Sequence, residues 1–405
     1  VHALPPFGTV DGDRRTTQSG QSYRTGAAQA ILAGCPVESG LSFREGDVMS
    51  EIVITEVVIP ERIDAPDAAD FLAAVTVRTL VNEHDSGTTD ESRPPEEMLP
   101  GWRKQQFEPK KLFLARRDGE VVGRGLAEYR LGEAIDMAWL HVEVIPDARG
   151  HGVGRALAQH VEQVARADGK RRAIVYAPCW KIGGERLAAP TGFGDVAVDT
   201  AATRLLVSLG FRLEQVERGS KLTLPLDERA LQLVHDEAAE IAGPDYRVHL
   251  WGDRTPPEWR EDIAHLLTRM STDAPSAGLD EPEDPWTVER LIADEEEEAD
   301  GPSTEFVAAV EHVPTGRLAG FTSLVAPDDG TRPVDQNDTI VLIEHRGHRL
   351  GLLLKAANLL HLQRVRPGHP SVVTYNAEEN RPMLDVNEAL GFVPFVYEGA
   401  WRKDL

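Results

Sequence analysis

The sequence predicts two consecutive α/β (α+β) domains of one fold, and three observations carry that prediction. A glycine-rich turn occurs twice, as Arg-Gly-His-Gly-Val-Gly-Arg from Arg149 to Arg155 and as Arg-Gly-His-Arg-Leu-Gly from Arg346 to Gly351. Each turn follows a short apolar run and opens a long helical pattern. Each is followed by Leu-Gly-Phe, at Leu209 to Phe211 and at Leu390 to Phe392. The arginine-to-phenylalanine interval is 62 residues in the first copy (149 to 211) and 46 in the second (346 to 392). The excess of 16 residues matches Lys181 to Val196, a stretch rich in Gly, Pro and Ala that reads as one loop inserted in the first copy.

The elements run in parallel through the two halves. Residues 1–48 are rich in Gly, Ser, Thr and Arg without a sustained period, and read as a disordered leader, with Met49 a candidate natural start. The first domain is placed at 51–226. Glu51 to Ile59 is strand-like, Asp67 to Leu80 has helical spacing, and Leu112 to Gly123 reads as strand, turn, strand, with Asp118-Gly119 as the hairpin signal. Asp136 to Pro146 is the strand into the glycine turn and Arg155 to Asp168 its helix. A strand at Arg172 to Ala177, a helix at Thr200 to Leu209 and a strand or hairpin at Phe211 to Leu224 complete the copy. A linker at 227–245 holds a short connecting helix before Gly-Pro.

The second domain, 246–405, repeats the order. Pro257 to Thr272 is helical, and an acidic loop runs through Asp284. Val288 to Glu298 follows and ends in the run Asp294 to Glu298, read as a solvated face or loop. Phe306 to Gly320 is strand, turn, strand around Pro314-Thr-Gly316. Asp338 to Ile343 leads into the second turn and Leu350 to Val365 is its helix. Val372 to Asn376, Met383 to Leu390 and Phe392 to Trp401 give strand, helix and strand.

Composition bounds what such a chain does. At 405 residues it is long enough for two or three cores. No segment approaches the roughly 18 uninterrupted apolar residues of a membrane span. The net charge of −24 argues against nucleic-acid binding; such a surface attracts cationic small molecules such as amines, or only provides solubility or belongs to a salt-tolerant proteome. The two cysteines, Cys35 and Cys179, make neither a metal-ligand spacing nor a disulfide framework, and the histidines suggest no metal site. A reducing, cytoplasmic setting fits that usage.

A glycine turn at a helix N-terminus presents unpaired backbone N–H groups at the positive end of a helix dipole, which suits a phosphate or pyrophosphate. The order of strand, hairpin and strand, then Arg-x-x-Gly-x-Gly at a strand-to-helix turn, then strand, helix, Leu-Gly-Phe and strand resembles the GNAT family of N-acetyltransferases. The tandem arrangement is similar to actinobacterial two-domain members, and the resemblance covers nearly everything after the leader.

The resemblance implies two mixed, mostly antiparallel sheets flanked by helices, acetyl-CoA as co-substrate, and no metal. It implies acetyl transfer to a primary amine of a small molecule by direct attack, from a monomer or homodimer. The turn positions implied to hold the coenzyme are Arg149, Gly150, His151, Gly152, Val153, Gly154 and Arg155. In the second copy they are Arg346, Gly347, His348, Arg349, Leu350 and Gly351. Along the strands before the turns the corresponding positions are Val142, Val144, Val341 and Ile343. Arg349 departs from the pattern, because it stands where Gly152 stands in the first copy.

The reaction needs a base for the acceptor nitrogen and an acid for the leaving thiolate. Alternation puts His141 and Glu143 on one face of the first approach strand, so either is a candidate base there. In the second half the candidate is Asp338, with Asp335 behind it. The tyrosine that serves as acid in relatives is missing. Its slot, four residues before the glycine of Leu-Gly-Phe, holds Leu206 in the first copy and Asn387 in the second. Tyr176, Tyr375, Tyr397 or water are the substitutes to consider. Asn376, Asn380 and Asn387 form a polar group near the implied pantetheine path, and Asn387 is carried as a candidate catalytic residue. The first copy has the largely apolar Tyr176 to Trp180 instead. The second half is therefore the expected site of chemistry. The alternative is a coenzyme-binding sensor or scaffold without catalysis.

Overall fold

A computed structural model describes residues 51–103, 105–130, 136–299 and 301–405, and the expectation for 1–48 lies outside them. The first half consists of β1 (Ile52–Glu56), α1 (Ala69–Ser86), α2 (Pro95–Arg103), β2 (Lys110–Arg117), β3 (Glu120–Glu128), β4 (Met137–Val144), α3 (Val153–Ala167), β5 (Arg172–Cys179), β6 (Arg186–Ala188), β7 (Asp195–Ala197), α4 (Ala201–Ser208) and β8 (Arg212–Thr223). A connecting helix, α5 (Glu228–Ala242), follows. The second half comprises β9 (Tyr246–Gly252), α6 (Arg260–Asp273), α7 (Val288–Glu298), β10 (Ser303–His312), β11 (Arg317–Pro327), β12 (Val334–Val341), α8 (Leu350–Val365), β13 (Ser371–Ala377), α9 (Arg381–Leu390) and β14 (Val393–Asp404).

Local chemistry accounts for most of these boundaries. Asp118 and Gly119 both take positive φ (55° and 85°), the geometry of a two-residue hairpin turn between β2 and β3. Thr200 caps α4 by accepting from the Thr203 N–H, and Asp227 caps α5 through the Ala230 N–H. Phe211 to Leu224 resolves as a single strand, β8, rather than a hairpin. The inserted loop folds into the small β6–β7 hairpin and buries Val196 and Ala197 in the first-half core. The acidic run after Val288 continues α7 instead of forming a loop. Its Glu295 is buried and accepts from the Thr255 N–H at 2.8 Å.

Twelve strands form one sheet in the order β1-β2-β3-β4-β5-β14-β8-β13-β12-β11-β10-β9. The centre of that order shows an exchange. β14, the last strand of the second half, pairs with β5 of the first, and β8, the last strand of the first half, pairs with β13 of the second. β8 and β14 also pair with each other. Each half therefore completes its sheet with the other half's final strand.

Pairing is antiparallel except at β4–β5 and β12–β13. There the contact is brief, three residue pairs in the first half and two in the second. Beyond it the strands diverge into a V. Helix α3 covers β3 and β4 with Leu157 and Val161. Gly125 of β3 admits it, since a Cβ there would sit 3.0 Å from the Val161 side chain. Helix α8 is buried more completely, between the sheet and α5, in a core that includes Leu231, Ala238, Leu353, Leu359 and Leu362. Among the described residues, no helix is long and apolar enough to cross a membrane.

Candidate active site

Each V is built the same way. In the first half, Leu140 to Glu143 of β4 face Val175 to Pro178 of β5 across a cavity of ≈ 490 Å³. In the second, Gln336 to Val341 of β12 face Thr374 to Ala377 of β13 across one of ≈ 870 Å³. Diverging strands leave backbone N–H and C=O groups without ladder partners, so the V can receive a ligand that carries amides of its own. The halves differ at the approach strand. β4 pairs with β3 in unbroken register, whereas β12 bulges against β11 between the Thr322–Thr339 and Leu324–Gln336 pairs. A bulge removes residues from the ladder and redirects them. Asn337 and Asp338 occupy it.

The glycine turns lie at the helix starts. Gly150 and Gly152 take φ of 80° and 86°, Gly347 takes 88°, and nothing stands within 4 Å of where their Cβ atoms would be. Among the described residues no side chain caps α3 or α8, which leaves their first N–H groups without a side-chain partner. Val153 and Leu350 turn their side chains into the core and contribute backbone only. The turn arginines act as staples. Arg149 Nε donates to the Val144 carbonyl at 3.0 Å and its fork holds Asp85 at 2.8 and 2.9 Å. Arg346 Nε donates to the Val341 carbonyl at 3.0 Å and faces Asp273 at 3.4 Å. His151 and His348 are exposed; the His348 ring lies 5.2 Å from that of Tyr246. Arg155 donates to Ser208 at the end of α4 (2.8 Å). Val142 lines the first cavity and Val341 the second, Val144 packs beside Gly154, and Ile343 is exposed outside the second cavity. The second turn borders its cavity through Arg346, Gly347, Arg349, Leu350 and Gly351.

The candidate bases have unlike surroundings. Burial opposes ionisation of Glu143, but the Arg124 guanidinium, hydrogen-bonded to it, and Arg78 outweigh that and hold the carboxyl below its usual range. His141 beside it is pushed down by burial, against the pull of Glu128 and Glu143. Asp338 lines the second cavity, and burial pushes its carboxyl up against the opposing charge of Arg130. Asp335 is tied to Arg93 at 2.5 Å.

The expected asparagine group is assembled, with a member the sequence reading missed. Lys355 of α8, 1% exposed, donates from Nζ to Asn387 Oδ1 at 2.7 Å. Asn387 Nδ2 donates in turn to Asn376 Oδ1 at 2.7 Å. Lys355, Asn376 and Asn380 line the cavity, while Asn387 is buried behind its wall. A single lysine inside Leu-Gly-Leu-Leu-Leu-Lys-Ala-Ala was the available signal, because a helix that is apolar all round buries whatever charge it carries. The first copy has Ala158 nine residues past Arg149, as Lys355 is nine past Arg346, and Leu206 and Ala177 where the second has Asn387 and Asn376. Tyr176 and Tyr375 donate across the halves, to Glu281 at 3.1 Å and to Glu91 at 2.7 Å. Tyr397 packs against the first-half core. Among the described residues no group of three or more His, Cys, Asp or Glu is placed to hold a metal ion.

This architecture matches known structures over most of its length. A tandem GNAT protein from the clavulanic acid biosynthesis pathway superposes with a TM-score of 0.64 at 22% identity, covering 87% of this chain and 98% of that one. The fold is a tandem GNAT fold. A GCN5-related N-acetyltransferase from Sphaerobacter thermophilus gives a TM-score of 0.55 at 16% identity, over 87% of this chain and 95% of that one. The Acetyltransferase (GNAT) family profile matches residues 79–181, from within α1 to just past β5. In sequence, the chain is similar to the mycothiol acetyltransferase of Thermobifida fusca (strain YX), 29% identical over 374 residues, or 88% of this chain and 97% of the relative.

Proposed function

We propose that the chain is an acetyl-CoA-dependent N-acetyltransferase whose second half carries the reaction, with a small-molecule primary amine as acceptor. The observation that supports it is the composition of the second cavity. One space there joins the open glycine turn, a splayed and bulged strand carrying Asp338, and a polar wall of Asn376, Asn380 and Lys355. The turn suits the coenzyme's pyrophosphate and the unpaired strand edges suit its pantetheine amides. The name of the Thermobifida fusca relative, mycothiol acetyltransferase, supports acetyl transfer as the reaction.

In this reading Asp338 takes a proton from the acceptor nitrogen, directly or through water, and the nitrogen attacks the thioester carbonyl. The C–S bond breaks to leave an amide and the coenzyme thiolate. A carboxyl with raised proton affinity is better matched to that task than the clamped Glu143. The acidic loop offers little to a cationic acceptor. Asp280 holds Arg402, Glu281 accepts from Tyr176, and Asp284 pairs with Arg290 at 2.6 Å. Glu217, Asp273 and Asp385 also line the second cavity, and in this reading they are the acidic groups an amine meets there. The first half is read as a structural partner or non-productive coenzyme binder.

Coenzyme release from acetyl-CoA across a panel of primary amines tests the reading. Amine-dependent release, reduced about 100-fold in kcat by Asp338→Asn with little change in the KM for acetyl-CoA, is the expected result. Measurable acetyl-CoA binding without turnover on any amine would leave the chain a coenzyme-binding sensor.

A further inference from the structure

We propose that Lys355 is the acid that gives a proton to the departing coenzyme sulfur in the second half, a role that the asparagine at position 387 has no chemistry to fill. The inference rests on acetyl transfer in this cavity, as read above.

Three observations converge on Lys355. First, position: of the cations lining the cavity among the described residues, Arg346 and Arg349 are exposed beside the turn, and Lys355 alone is on the buried wall. A ligand with phosphates at one end and a nascent thiolate at the other would meet the arginines first and the ammonium inside. Second, partners: Lys355 is hydrogen-bonded to a neutral amide, Asn387, and no carboxylate among the described residues pairs with it. A desolvated ammonium without a counter-ion favours either losing its proton or meeting an anion, and a thiolate forming in the cavity offers the second. Third, contrast: the equivalent first-half positions are Ala158, Leu206 and Ala177, so the whole polar relay belongs to one copy.

Burial lowers the Lys355 ammonium to about 7, close to the pH at which an acid most easily both gives and regains a proton. As the C–S bond breaks, its electron pair goes to sulfur and sulfur takes a proton from Lys355. The neutral amine then recovers, through water, the proton that the acceptor nitrogen gave to Asp338. Asn387 is a positioning residue in this scheme, since it aims Nζ while itself held by Asn376. The other titratable groups on the cavity are Asp338 of β12, Glu217 of β8, Tyr375 of β13, Asp385 of α9, Asp273 of α6 and the two turn arginines.

The test uses the whole chain, and its first arm needs no knowledge of the acceptor. Coenzyme A is bound, binding is confirmed by calorimetry, and its thiol is titrated through the ultraviolet absorbance of the thiolate. Lys355→Met keeps the length of the side chain and removes a buried charge, so the fold is expected to hold. In the native protein the bound thiol should ionise about one pH unit lower than in Lys355→Met. With an active amine, the same change should lower kcat about 100-fold, leave the KM for acetyl-CoA within about threefold, and not lower Tm. Lys355→Arg, which retains charge but cannot release a proton near neutrality, should not restore kcat. Identical thiol titrations in native protein and Lys355→Met would overturn the assignment. So would a kcat loss that only tracks a fall in Tm or a rise in that KM, or quantitative acetylation of Lys355 seen by mass spectrometry. A native chain that binds no coenzyme A would instead remove the acetyl-CoA reading beneath it, a result distinct from any of these.

Discussion

Arg349 holds a left-handed backbone conformation (φ 55°) that costs a side-chain-bearing residue about 1–2 kcal/mol and that Gly152 takes freely in the first copy. Among the described residues its guanidinium pairs with the exposed Glu237 at 3.7 Å, too weak an attraction to offset the strain. The compensation in our reading is a charge beside the coenzyme phosphates. Arg349→Gly is therefore expected to raise unfolding free energy by about 1 kcal/mol while weakening acetyl-CoA binding about three- to tenfold. Chemical denaturation and calorimetry on the same preparation check the two directions. A variant that is more stable and binds equally well would leave the arginine without a purpose at the turn. The sequence showed this residue as an exception to a pattern, but not that its backbone is strained, because φ is set by the turn around it.

At the scale of elements, the two approach strands separate a clamped carboxylate from a available one. Glu143 of β4 lies directly opposite Arg124 of β3, and the arginine is 5% exposed. Glu143→Gln would strand that guanidinium, so a loss of about 2 kcal/mol or more in stability is expected. Amine-dependent turnover in the second half should persist in the folded variant. Turnover abolished with stability unchanged would make Glu143 the base instead.

Elements governed by local chemistry were legible in the sequence: both glycine turns, the Asp118-Gly119 hairpin and α8 with its stated ends. Others were not. β9 is an edge strand whose alternate residues include Arg247 and His249, so it lacks the apolar run of a buried strand. α2 carries Pro100 and Gly101, residues that interrupt a helical pattern, and it has no counterpart in the sequence reading. The bulge at Asn337 and Asp338 depends on register with β11, which no local pattern encodes. The polar relay was half visible, since its asparagines cluster in sequence while Lys355 comes from another helix.

For the whole molecule, the exchange of β8 and β14 makes each half depend on the other. It also sets Glu217 directly opposite Glu398, at positions six residues past Phe211 and Phe392 respectively. Burial, then nearby carboxylates, push Glu217 up to about 7 and Glu398 up to about 8. Both groups hold protons more tightly folded than unfolded. Their contribution to stability is thus full below the ordinary glutamate range and is lost as pH rises through about 7 to 8. Replacing both by Gln should raise Tm by about 2 °C or more at alkaline pH and change it little near pH 4. Thermal unfolding across that range checks the sign; a gain confined to acid pH would refute it. Long-range strand exchange pairs residues 181 positions apart (217 and 398), so the join between the two halves' sheets is invisible to any local pattern.

The division of labour between the halves is the central claim, and paired charge insertions at the two turns test it most directly. A Cβ at Gly351 would meet only Val386 at 3.9 Å, and one at Gly154 would meet Leu205 at 3.4 Å, so aspartate at either site acts mainly through its charge at a helix N-terminus. Coenzyme release with a primary amine is measured for both variants. The account predicts that Gly351→Asp lowers turnover at least about tenfold while Gly154→Asp leaves it within about threefold. Turnover kept in Gly351→Asp and lost in Gly154→Asp would contradict it.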